Sequence, residues 1–217
     1  MAHRTESAIA SETAVRLYSS APFLVRWQQR LRPTVCPFDE LTPEIRATGG
    51  RLLDYGCGAG LFGLHCVSQG YVEAVDGVDL DPSAITIAES ARQSLPVAEA
   101  ARFQVGDPPE ASYDAISMID VMHHVAPADQ RAVFLGLCDR VGAGGVLVYK
   151  DMCRRPRWRA LANRLHDLIL NRQWVHHVPI DRVIEWAVGE GGVTIERRAR
   201  FNYLVYGHEL VVFRKAG

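Results

Sequence analysis

Long apolar runs are missing from this 217-residue chain: no eighteen consecutive uncharged apolar residues occur, so no helix long enough to span a bilayer is expected. The opening MAHRTESAIASETAVRLYSS carries acids and lacks an apolar h-region, which argues against a secretory signal peptide. Cysteine is sparse. The five present (Cys36, Cys57, Cys66, Cys138, Cys153) are widely spaced and include no C-x-x-C pair, which speaks against a disulfide framework or structural zinc and for reduced thiols in a cytoplasmic protein. An excess of one charge is lacking too. With 24 Lys plus Arg against 25 Asp plus Glu, the net charge of −1 gives no global field for nucleic acid or an anionic membrane, and such a partner must be met by a local patch. There is no internal repeat or low-complexity tract. What the chain does have is 48% hydrophobic residues, enough for one domain with a sizeable core.

The apolar pattern orders that core. Residues 1–47 read as helix and loop: Ala8 to Tyr18 has helical character, Ala21-Pro22 interrupts it, and Phe23, Leu24, Trp27 and Leu31 recur at helical spacing before Pro33. From Arg51 short apolar runs alternate with amphipathic stretches, as in strand–helix units around a parallel sheet. The spacing predicts strands at Arg51–Tyr55, Val72–Asp79, Arg102–Val105, Tyr113–Ile119 and Gly145–Tyr149, with helices after the first, second and fourth. The rhythm then breaks. Arg154 to His177 reads as a helix carrying Trp158, Leu161, Leu165, Leu168 and Ile169 on one face, and six arginines against the single acid Asp167. A short helix at Asp181–Val188 and two runs, Val193–Ala199 and Glu209–Arg214, close the chain; separated by Tyr206-Gly207, they should pair antiparallel. The expected fold is α/β: a doubly wound, mainly parallel seven-stranded sheet with helices on both faces and an antiparallel last strand. It forms a single domain of an N-terminal helical lid (1–47), a cofactor-binding core (51–150), a helical insertion (151–180) and closing elements (181–217).

Chemistry enters at Leu52-Leu53-Asp54-Tyr55-Gly56-Cys57-Gly58-Ala59-Gly60, which leaves a predicted strand and enters a helix. Glycines there let the chain turn tightly and let a ligand lie against the main chain. Asp79 follows Gly58 by 21 residues, at the next strand end, where a carboxylate accepts from ribose hydroxyls. An adenosine-type cofactor is the expectation. Gly58, Gly60 and Gly63 also satisfy the dinucleotide pattern G-x-G-x-x-G, so a nicotinamide oxidoreductase is the rival reading. Asp54 discriminates between them, because a carboxylate beside the loop repels a pyrophosphate and suits a cationic donor, either directly or through the loop backbone.

Through LLDYGCGAG, GVDLDPSAITIA, FQVGD, YDAISMIDVMHHV and GAGGVLVYKD, the chain resembles the class I S-adenosylmethionine-dependent methyltransferases over about Arg51 to Lys150. The resemblance implies that Asp54, Gly56, Cys57, Gly58 and Gly60 surround the methionine moiety, Asp79 holds the ribose and Leu80 packs on the adenine. It further places Asp107 near the adenine amine and Asp120 on the sulfonium side. Plainer readings stand beside these: Asp81 as a helix N-cap, Asp107 as a turn residue, and Cys57 chosen for size and its amide.

Methyl transfer needs an aligned nucleophile and dryness, and a base only if the acceptor arrives protonated. His123, in the pair His123-His124 after the fourth strand, occupies the place that resembles the catalytic histidine of small-molecule O-methyltransferases. It is the candidate base, with His124 and Asp151 as lesser catalytic candidates; Lys150-Asp151 reads alternatively as a solvated strand end. Tyr18, Trp27, Arg155, Trp158, Arg159 and His176 are candidates for the acceptor pocket, though aromatics at helical spacing usually pack. The arginines of 154–172 suit a carboxylate, a phosphate, an acidic carrier protein, a membrane surface, or only water. Nucleic acid is disfavoured because IDVMHH stands where an N-P-P-Y-type tetrapeptide would serve a base amine. No metal is expected from His176-His177 without a spaced third ligand. The expected reaction is methyl transfer from S-adenosylmethionine to oxygen, or else nitrogen or carbon, of a small organic acceptor, releasing S-adenosylhomocysteine; a non-catalytic binding module is the third class. No motif names the acceptor, pathway or oligomeric state.

Overall fold

Three helices come before the first strand. The structure, a computed structural model, describes residues 5–96, 98–152, 176–203 and 206–217. Helix α1 (Glu6–Leu17) starts where the Thr5 side chain accepts from the Ala8 amide, and it buries Ala10, Ala14 and Leu17 at helical spacing. Helices α2 (Phe23–Val35) and α3 (Phe38–Thr48) follow prolines 22 and 37. The sequence pattern did not separate α3, because Pro43 sits inside it as Pro33 sits inside α2. Each proline forfeits one backbone hydrogen bond. In α3 the burial of Phe38, Leu41 and Ile45 outweighs that loss, and Gly49 in the left-handed region (φ +68) ends the helix.

The alternating units follow as β1 (Gly49–Tyr55), α4 (Leu61–Ser68), β2 (Val72–Asp79), α5 (Pro82–Arg92), β3 (Ala101–Val105), β4 (Tyr113–Ile119), α6 (Gln130–Arg140) and β5 (Val141–Met152). Then come α7 (Ile180–Gly189), β6 (Val193–Tyr203) and β7 (Tyr206–Lys215). The strands form one sheet in the order β3-β2-β1-β4-β5-β7-β6. Strands β1, β2 and β3 pair parallel, whereas β7 runs antiparallel to both β5 and β6. This is the doubly wound sheet with an antiparallel last strand that the sequence pattern predicts. The last two strands are longer than the apolar runs suggest: Tyr203 pairs with Tyr206, so Tyr206 and Gly207 belong to β7. Strand β5 likewise runs on through Lys150 and Asp151.

The chain divides into two compact units, Met1–Ser117 and Met118–Gly217. The first is packed around Leu52, Leu53, Leu64, Val75, Val78 and Ala88. In the second, Phe134 meets Tyr149 and Phe213 edge-on, with ring centroids 5.8 and 5.7 Å apart, beneath the apolar run Leu210–Phe213. The expected basic helix, with Arg155, Trp158 and Arg159, lies outside the described residues up to position 175.

Candidate active site

In the first unit the glycine loop is held from three sides. The amides of Gly56 and Cys57 donate to the Val78 carbonyl at 2.8 and 3.0 Å, tying the loop to the end of β2. Asp79 Oδ2 accepts from the Gly58 amide at 2.8 Å, and Oδ1 from the Asp81 amide at 3.0 Å. From the other side the Tyr18 hydroxyl, at the end of α1, donates to the Ala59 carbonyl at 2.6 Å. Burial pushes that hydroxyl's pKa far up, so it stays a donor. Tyr18, an acceptor-pocket candidate from sequence, is thus buried and grips the glycine loop.

Two glycines are required for different reasons. Gly58 (φ +55) has nothing within 4 Å of where a Cβ would stand, leaving open space over a left-handed backbone. Gly60 (φ +82) would put a Cβ 2.8 Å from the Phe103 ring. Asp54 lies beneath the loop and is buried. Its Oδ1 accepts from Ser117 Oγ at 2.8 Å and its Oδ2 from the Gly63 amide, in the first turn of α4, at 3.2 Å. Desolvation pushes its carboxyl up to about 6, against the lowering effect of those two hydrogen bonds. Both Asp54 oxygens are thus engaged inside the protein, one by Ser117 and one by the main chain at the start of α4.

Leu80 is 81% exposed, an apolar side chain standing free beside Asp79. Asp81 is the N-cap of α5, accepting from the Ser83 amide at 2.8 Å. Asp107 lies exposed in a bend, its carbonyl accepting from Gln104 Nε2 at 2.6 Å. Burial raises the Cys57 thiol, and the carboxylates of Asp54 and Asp79 add to that, so it is no thiolate. Trp27 is 54% exposed on α2, a departure from the expectation that such aromatics pack.

In the second unit a polar cluster gathers around the ends of β4 and β5. His123 sits in a 3-10 turn (Met122–His124), 1% exposed, with Nδ1 2.5 Å from Asp151 Oδ1. Asp151 is itself anchored: its Oδ1 accepts from the Met152 amide at 2.7 Å and its Oδ2 from the Tyr149 hydroxyl at 3.4 Å. A carboxylate on Nδ1 sets the tautomer, with the proton on Nδ1. The turn is clamped from outside, because the His123 carbonyl accepts from the His176 amide at 2.8 Å and Gln130 Nε2 donates to the carbonyls of Met122, Val125 and His176. His124 is exposed and leans on His123 with ring centroids 4.1 Å apart; His177 lies at 5.8 Å.

The neighbouring pair is ionic. Lys150, wholly buried, donates from Nζ to both Asp120 oxygens at 2.7 and 2.6 Å, and the Asp120 amide donates back to the Lys150 carbonyl at 2.8 Å. Asp120 is the one non-glycine described with positive φ (+59), a conformation aspartate tolerates at modest cost and one that clusters at working sites. The solvated-strand-end reading of Lys150-Asp151 is therefore overturned: both residues are buried and paired. Adjacent side chains on a strand leave on opposite faces, which is how neighbours in sequence serve two different partners. Sequence reasoning singled out His123, Asp151 and Asp120 but paired none of them. The available signal was the neighbouring position of β4 and β5 in a doubly wound sheet, which brings residues after one strand beside the end of the other. Among the described residues no group of three or more His, Cys, Asp or Glu is arranged to hold a metal.

A strand–glycine loop–helix with an acid at the next strand end defines the doubly wound class that binds adenosine-type ligands at its strand ends. The chain belongs to the methyltransferase domain family, whose pattern matches residues 27–196. It is 34% identical over 107 residues to the ribosomal protein L11 methyltransferase of Ralstonia nicotianae, covering 49% of this chain and 34% of that one. It is 26% identical over 187 residues to the ubiquinone biosynthesis O-methyltransferase of Maricaulis maris, covering 80% and 70%. The chain thus spans about a third of the first relative's length. In fold it is similar to the magnesium protoporphyrin IX methyltransferase of Synechocystis PCC 6803 with bound SAH, at 17% identity, 94% coverage of both chains and a TM-score of 0.68.

Proposed function

We propose that the chain, working as one domain, transfers a methyl group from S-adenosylmethionine to an oxygen of a small organic acceptor, with His123 as general base held by Asp151. The residues suit the cofactor. Gly58 leaves room over its backbone, the Asp79 carboxylate has lone pairs left for ribose hydroxyls, and Leu80 offers an apolar surface to a purine. A dinucleotide would need the amides at the start of α4 for its pyrophosphate, but the Gly63 amide is already engaged by Asp54. That favours a donor without phosphate over the oxidoreductase reading. When bound, S-adenosylmethionine supplies an electrophilic methyl group on a sulfonium leaving group. The protein's share is to align the acceptor, exclude water and take up its proton at the His123 imidazole, while Asp151 stabilises the imidazolium.

The observation that carries the choice of oxygen is the 2.5 Å contact between His123 Nδ1 and Asp151. A buried, carboxylate-oriented imidazole suits removal of a hydroxyl proton and is idle in transfer by proximity alone. The test is a series of phenols of graded acidity. His123→Ala should lower kcat about 10²- to 10⁴-fold on the least acidic acceptors and progressively less on those that arrive ionised, with cofactor affinity within about twofold of wild type. An equal loss across the series would make His123 a structural residue and favour nitrogen or carbon as the methylated atom. Failure to bind S-adenosylhomocysteine, together with tight binding of a nicotinamide dinucleotide, would end the methyltransferase reading.

A further inference from the structure

Helix α2 is thirteen residues long, FLVRWQQRLRPTV, and Pro33 is its single buried residue. Phe23 is 77% exposed, Leu24 61% and Trp27 54%, and none of Val25, Leu31 and Val35 is buried either. A short isolated helix is unstable in water, and this one has α1 as its main packing partner among the described elements. Phe23, Trp27 and Leu31 recur at four-residue steps with Leu24 beside them, so the apolar side chains form one continuous stripe. Arg26 and Arg30, each three residues on from a member of that stripe, line its flank, and both are exposed. The helix contains no acid. Arg32 lies on another side of the helix and is half-buried.

We propose that the Phe23–Trp27–Leu31 stripe with Arg26 and Arg30 is a docking surface for an anionic lipid bilayer, on which α2 lies flat. The composition is that of an interfacial helix, with aromatic and leucine side chains entering the acyl boundary and arginines meeting headgroup phosphates. At 1.5 Å per residue the helix covers about 20 Å, and no described helix is long and apolar enough to span. The chain as a whole is near neutral at −1, so attraction to an anionic surface must be local, and on this face Arg26 and Arg30 supply it. The proposal does not depend on the reaction assigned above.

Sedimentation of the full chain with extruded vesicles tests it. Partition should be at least tenfold stronger onto phosphatidylcholine vesicles carrying a third phosphatidylglycerol than onto phosphatidylcholine alone, and should weaken with salt. Arg26→Glu with Arg30→Glu should reduce it tenfold or more, since each basic residue near such a surface is worth about fivefold. Phe23→Ser with Trp27→Ser should reduce it similarly, and both pairs should melt at the wild-type temperature because the side chains are exposed. Brominated lipid should quench the wild-type fluorescence, and Trp27→Phe should remove most of that quenching. Three results would overturn the proposal: no partition onto the anionic vesicles, partition indifferent to both pairs, or a concentration-dependent dimer that Phe23→Ser with Trp27→Ser dissolves, which would make a second copy or another protein surface the true cover.

Discussion

Burial raises the Asp54 carboxyl from 3.8 to about 6, and the sign of that shift has two consequences. The folded chain holds this proton more tightly than the unfolded one, so the group's contribution to stability falls as pH rises from about 4 to about 6. Affinity for a cationic donor moves the other way, rising as Asp54 ionises through about pH 6, whereas affinity for the neutral thioether product should change less. Calorimetric titration of both compounds between pH 5 and 7.5 checks this, and Asp54→Asn should flatten the difference. Lys150 gives a second expectation at this scale. Replacing it by methionine leaves Asp120 without its cation in a largely buried place, and should cost about 3–5 kcal/mol in a denaturant melt. The identities of Asp54, Asp79 and His123 were legible because motif spacing reports strand ends. The partners of Asp54 and His123 were not: Gly63, Ser117 and Asp151 lie 9, 63 and 28 residues from the side chains they hold.

At the scale of elements, the glycine loop is braced by a helix before it and a strand after it. Tyr18→Phe should leave the Ala59 carbonyl without its donor, lowering stability by about 1 kcal/mol and cofactor affinity several-fold. Gly60→Ala should do more. The φ of +82 and the Phe103 ring 2.8 Å from the new Cβ together should cost about 1–3 kcal/mol and loosen the loop, as read by the melting temperature with and without S-adenosylhomocysteine. Strand β2 was read to the residue, because Val72, Val75 and Val78 mark it as apolar and Pro82 follows its end closely. Helix α3 was hidden by Pro43, and β5 ran on beyond its apolar run because the polar Lys150 and Asp151 are paired inside the protein. Hydrophobic pattern finds elements whose ends are wet, and it stops short where a polar pair is buried.

For the molecule as a whole, one buried histidine in each unit links stability to pH. His65, with Nε2 2.8 Å from Glu6 Oε1, is held below its ordinary value by desolvation. His208 is pushed down to about 4 by desolvation and, next, by the nearby Lys150 charge. A histidine depressed in the folded state favours folding above the unfolded value of about 6.5 and loses that advantage as pH falls. The melting temperature should therefore drop between about pH 6.5 and 4, by the equivalent of roughly 2–3 kcal/mol for His208. His208→Gln should shallow the slope, and a flat profile would contradict it. The order of units along the chain was the most legible feature, since alternating strands and helices admit few arrangements. The occupant of the acceptor site was the least, because no motif encodes it.

The boundary between the two compact units falls between Ser117 and Met118. Every candidate cofactor contact except Asp120 precedes it, and the His123–Asp151 dyad follows it. Recombination with a homologous gene at the loop just before β4, across Asp107–Ser112, would accordingly exchange the proposed base between parents while keeping the first unit's candidate cofactor residues from one of them. Such chimeras offer a direct way to breed new acceptor preferences onto one donor-binding half.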